Sequence, residues 1–196
     1  MNLSAMLTLV RKDLRDESAP YRWSDAELER HILHAVKDIS EAVPHEQKAT
    51  VATTAGSRVI DISALTGRVM VEAVEYPVDE FPRCFQLFSL WGDVVVLLGD
   101  EVPDGGNAYI CYGKLHTMDA ASSTIPSKFE DLVAAGGSGY AAVAWAAYAI
   151  NRVNTGGSTT PGEFLDWGNQ KLAYFTKELK RLGRKNRVRV RRLYDQ

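Results

Sequence analysis

The chain has 196 residues, 45% hydrophobic and 24% charged, with a formal net charge of −2. That is ordinary globular composition, enough for one good core or two small ones. The start, Met1-Asn2-Leu3-Ser4, has no basic region followed by an apolar run, and no stretch of about 18 apolar residues occurs, so a secreted or membrane-spanning chain is not expected.

Leu3, Leu7, Val10 and Leu14 mark one apolar stripe of a first helix, which Ser18-Ala19-Pro20 is expected to end. Trp23-Ser24-Asp25-Ala26-Glu27-Leu28 follows. Ser24 and Glu27 make a capping box, with Trp23 and Leu28 as its hydrophobic staple. Leu28, Ile32, Ala35, Val36 and Ile39 then share one face of a second helix that runs to Pro44.

From His45 to about Leu115 the pattern turns β-branched and aromatic. Strands are predicted at 49–55, 68–75, 83–90, 94–98 and 108–112. Trp91-Gly92-Asp93 should close one hairpin and Pro103-Asp104-Gly105-Gly106 the next.

Helical signals return at the Ser127 to Glu130 box and are expected to stop at Gly136-Gly137, with Gly136 to Gly139 forming a close turn between helices. The run Tyr140 to Ile150, apolar all round, suits a helix surrounded by others. After the linker Asn154 to Thr159, Thr160-Pro161-Gly162-Glu163 starts a last helix with Leu165, Leu172, Phe175, Leu179 and Leu182 on its stripe and Gly183 as its stop. Its length should be about 33 Å, and its end should project.

The expected fold class is α+β. A helical bundle of about four to five helices (1–44 and 117–183) carries an inserted small antiparallel β domain (45–116) and an extended basic C-terminal arm (184–196). No repeat of about 20 to 50 residues is present.

Lys177 to Gln196 hold nine Lys/Arg against two Asp/Glu, leaving −9 for the rest of the chain. In extended form, Arg187, Arg189 and Arg191 would face one way and Val188, Val190 and Arg192 the other. Such a segment can become a strand beside a partner. Arginine favours fixed contacts to carboxylate or phosphate, so an acidic protein groove and nucleic acid are both open as its receiver.

Signals for chemistry are weak. His31 and His34, with Glu27, Glu29 and Asp38 near in sequence, suggest a metal site, but a solvated polar face is the plainer reading. The loop Asp100 to Asn107 is rich in oxygen ligands without the spacing of an EF-hand, and reads as a turn. Cys84 and Cys111 lack any Cys-x-x-Cys pairing and read as reduced thiols. No Gly-x-Ser-x-Gly elbow occurs and neither cysteine has an identifiable histidine partner, so no catalytic residue, cofactor or metal is expected.

Several segments in order resemble the head-to-tail connector proteins of tailed bacteriophages. They are Tyr21 to Leu28 after a short amphipathic helix, the β segment, Tyr112 to Asp119, Ser123 to Pro126 leading into Leu132 to Ala142, and a long last helix with a basic end. The resemblance implies a non-enzymatic virion protein, made in the host cytoplasm and placed at the neck. It would form a ring, commonly of twelve copies, under the portal. DNA would pass through its channel without sequence-specific binding, and a further neck or tail-completion protein would dock on it. It also implies that the arm, Arg184, Lys185, Arg187, Val188, Arg189, Val190, Arg191, Arg192, Leu193 and Tyr194, binds the portal. The β insertion departs from the simplest all-helical members of that family. The alternatives are a DNA-binding protein that uses the arginine tail, another tail-completion protein, or an enzyme built from scattered carboxylates.

Overall fold

The computed structural model describes residues 1–149 and 161–187. Among them are four α-helices and two small antiparallel sheets, a mixed α+β fold. The chain divides into two compact units, one helical (Met1–Val43 and the chain from His116 to the end of the last helix) and one β (Pro44–Leu115).

In the helical unit, α1 (Leu3–Leu14) buries Met6, Val10 and Leu14. It stops at Arg15, which takes a left-handed conformation (φ 55°), so the break falls before Ser18-Ala19-Pro20 rather than at it. The Arg11 guanidinium holds the turn that follows, donating to Asp16 Oδ2 at 2.6 Å and to Asp25 Oδ1 at 2.7 Å. The buried Asp16 also accepts from the Arg22 amide at 2.7 Å. Charge-assisted bonds of this length fix the entry to α2 (Asp25–Ala42). The capping box is present: Ser24 N donates to Glu27 Oε2 at 2.8 Å and Glu27 N to Ser24 Oγ at 3.3 Å.

A 3-10 turn (Ser127–Phe129) opens α3 (Glu130–Ala149), with Pro126 at the cap and no side-chain cap bond, so the expected Ser127–Glu130 box does not form. The glycines do not end a helix either: α3 runs unbroken through Gly136, Gly137 and Gly139, all buried. A Cβ on Gly136 would come within 2.8 Å of Ala35 Cβ and 2.9 Å of the Phe175 ring. One on Gly139 would meet Leu172 at 2.9 Å. These residues are small because α2 and α4 (Pro161–Arg187) close on α3 from two sides, and backbone freedom is not what they supply.

Gly183 is not a stop. Helix α4 continues to Arg187, and its 27 residues span about 40 Å. Phe175 is its deepest side chain, 1% exposed in the core formed with α2 and α3.

The β unit holds β1 (His45–Ala52), β2 (Val59–Asp61), β3 (Arg68–Glu75), β4 (Phe85–Gln86), β5 (Phe88–Trp91), β6 (Val94–Leu97) and β7 (Asn107–Lys114). One sheet has the order β1-β7-β3-β4 and the other β2-β6-β5. The predicted 83–90 strand is therefore two short strands in different sheets, with the switch at Leu87. Strand β2 had no counterpart in the sequence reading.

The Gly92 hairpin forms as expected, pairing Trp91 with Val94. The Pro103 to Gly106 segment does not close a hairpin. It carries the chain from β6 in one sheet to β7 in the other. There Asp104 Oδ1 accepts from Tyr76 Oη and from the Gly106 amide, both at 2.8 Å. Ile60, Ile62, Val74, Val95, Leu97 and Ile110 make the unit's core.

Candidate functional site

The basic end of α4 is built by helical periodicity. Its residues 161–170 carry two acids and no base, whereas 171–187 carry seven bases and one acid. Lys177, Lys180, Arg181 and Arg184 stand at i, i+3, i+4 and i+7 and are exposed, forming one stripe. The stripe borders an open trough of about 830 Å³ that also includes Leu172 and Thr176.

Arg181 is held by Glu178, Nη2 to Oε2 at 2.6 Å, and this pair lowers the Glu178 pKa and raises that of Arg181. Lys177, Lys180 and Arg184 enter no ion pair among the described residues. Cations here also suit the negative end of the helix dipole.

Of the expected portal-binding residues, Arg184, Lys185 and Arg187 belong to α4. The extended Arg/Val alternation does not apply to them: a helical residue advances about 1.5 Å and turns about 100° from its neighbour. Val188, Arg189, Val190, Arg191, Arg192, Leu193 and Tyr194 lie outside the described residues.

The two α2 histidines have separate surroundings. His31 is buried rather than solvated, and burial, with Arg30 and His34 nearby, pushes its pKa down. His34 stacks on Tyr140 at 4.3 Å with 12° between the planes. The Tyr140 hydroxyl donates to Asp38 Oδ2 at 2.6 Å, and burial, with this bond, raises its pKa. No group of three His, Cys, Asp or Glu side chains able to hold a metal is present among the described residues. The Asp104 carboxylate of the oxygen-rich loop is occupied by the Gly106 amide and Tyr76, which lower its pKa. Cys84 and Cys111 are half-buried.

One cluster was missed from sequence. The Arg22 guanidinium lies over the rings of Trp145 (4.4 Å) and Phe164 (4.6 Å), beside Trp23. These four residues span more than 140 positions, and only the packing of the α1–α2 connection against α3 and α4 joins them. The Tyr21-Arg22-Trp23 run was the available signal.

No protein-family profile matches the chain, and no curated protein matches it. No helix among the described residues is long and apolar enough to cross a membrane.

Proposed function

We propose that this chain is a structural adaptor of a phage neck. It forms a ring under the portal, extends the DNA channel and offers a platform to the next neck or tail protein. The observation that carries the reading is the basic stripe of α4, presented on a rigid helix and continuous in sequence with the arginine-rich arm. A helix end held by the Phe175 core pays little ordering entropy when it docks, so several charge contacts to an acidic portal surface add to one another. The aromatic and arginine packing around Trp23 gives the unit the stiffness a wedge in a ring needs.

DNA binding is the second reading, favoured by the same stripe, because phosphates accept the cations that carboxylates accept. The two part in one experiment. Mass photometry of the full chain with its portal ring, and duplex binding over a salt series, are compared for the wild type and for Lys177→Glu/Lys180→Glu/Arg184→Glu. An adaptor joins the portal and loses it in the triple variant, with weak duplex binding throughout. A DNA-binding protein ignores the portal and shows a steep salt slope that the triple variant flattens. Removal of the arm belongs after Arg187, because a truncation at Gly183 also removes the last turn of α4.

A further inference from the structure

The sheet β1-β7-β3-β4 has unequal edges. At one side β4 is two residues long, and a very short strand is one of the ways an edge is blunted. At the other, β1 runs eight residues and pairs with β7 from His45 opposite Lys114 to Ala52 opposite Asn107, without a bulge. No strand lies on its far side among the described residues, and every second residue of β1 turns its N–H and C=O away from β7. The strand holds no proline. Its one lysine is turned from the edge, with Lys48 Nζ 3.5 Å from the centre of the Tyr109 ring on β7. The longest edge strand among the described residues therefore lacks the usual protection.

The chain beyond α4 fits that edge in length, pattern and charge. Val188-Arg189-Val190-Arg191-Arg192-Leu193-Tyr194 is seven residues against the eight of β1. On β1, Ala49 and Val51 lean on the core of the β unit, and Glu46 and Thr50 alternate with them on the opposite side. A strand laid beside β1 would continue the inner row with Val188 and Val190, with Arg192 next in that row. It would bring Arg189 and Arg191 to the row of Glu46. Residues 44–115 hold five Lys/Arg and ten Asp/Glu, a balance of −5, whereas 188–196 hold three arginines and one aspartate, a balance of +2. From Arg187 to Tyr194 there is no Gly, Pro, Asn, Asp or Ser to turn the chain back, which favours an edge on another copy over one on its own.

We propose that β1 of one copy takes residues 188–194 of the next copy as an added strand, so that each copy gives one arm and receives one around the ring. This rests on the ring reading above and names its subunit contact. It gives the arm a receiver in the next copy and leaves the stripe from Lys177 to Arg184 for the portal. Main-chain hydrogen bonds supply the strength of such a contact, and alternate side chains supply its register. A head-to-tail exchange closes into a ring when the rotation between copies allows it.

The test compares full-length protein with a chain ended after Arg187 and with Val188→Lys/Val190→Lys. Both changes lie beyond α4, and unchanged circular dichroism and melting temperature establish that each variant folds. The lysine pair adds positive charge, so a contact that needs only charge keeps or gains strength, whereas an added strand loses its inner row. Mass photometry, alone and on the portal ring, follows assembly, and hydrogen exchange reads the amides of β1.

In wild-type rings the outward amides of β1 are expected to exchange at least about tenfold more slowly than in the diluted monomer. Both variants are expected to lose that protection and to need a concentration at least about tenfold higher to assemble. Normal assembly of either variant, or wild-type rings whose β1 amides stay unprotected, overturns the exchange and leaves the ring reading intact. Protection that persists in the diluted monomer does the same, since it returns the arm to its own copy. A wild type that forms no ring, even with the portal present, overturns both.

Discussion

The helical and β units solve burial differently. In the helical unit α3 is small and apolar all round, and its glycines let α2 and α4 approach until Phe175 fills the remaining space. In the β unit the second sheet has only three short strands, and it buries one face while leaving Trp91, Val59 and Leu98 exposed on the other. The first arrangement gives a unit whose interior is its stability. The second leaves apolar surface in water, at a cost of roughly 25 cal/mol per Å².

The helical unit's dependence on its interior is tested most directly at Phe175. Phe175→Ala is expected to cost about 3–5 kcal/mol, read by chemical denaturation, because α2 and α4 cannot fully collapse onto the void. A loss below about 1 kcal/mol would mean that the α3 contacts are looser than the distances imply.

Gly136→Val comes next. Its side chain would overlap Ala35 and Phe175, and an overpacked core costs about 1–3 kcal/mol. A stability gain from helix propensity instead would show that the helices part easily.

Two neighbouring valines test the open face. Val95→Thr buries a hydroxyl in the β core and should cost about 1–3 kcal/mol. Val96→Thr on the outer face should stay within about 0.5 kcal/mol in the monomer. Equal losses would mean that both faces are structural.

The smallest effect is a pH dependence. Burial holds the His31 imidazole below its ordinary pKa of 6.5, so the unfolded chain binds that proton more readily than the folded one. His31 therefore contributes stability that is complete above about pH 6.5 and is lost as the pH falls toward the folded value. His31→Gln should flatten the stability curve in that window and leave it unchanged at pH 8.

Much of this was legible in the chain. The Ser24–Glu27 box, the α2 stripe and the Gly92 hairpin are local devices, set by hydrogen bonds and turn geometry within four residues, and they form as the pattern predicts. Signals with two meanings misled. Gly136-Gly137 and Gly183 read as helix stops, since glycine ends helices as readily as it permits close packing. The site was legible as charge, because the lysines and arginines near the end of the chain are visible in any reading. Its form was not: Arg184, Lys185 and Arg187 belong to a helix, and the stripe begins further back, at Lys177.

The sequence by itself determined the existence of most elements, their caps and the concentration of positive charge near the end of the chain, because these follow from short-range hydrogen bonding, periodicity and composition. The tertiary structure alone decided that α3 is continuous, that the β segment divides into two sheets at Leu87, that Arg22 meets Trp145 and Phe164, and that Trp91 stands outside the core. Each of these depends on which distant residues fill the space beside a given backbone, and steric fit between elements far apart in sequence leaves no periodic trace within either one.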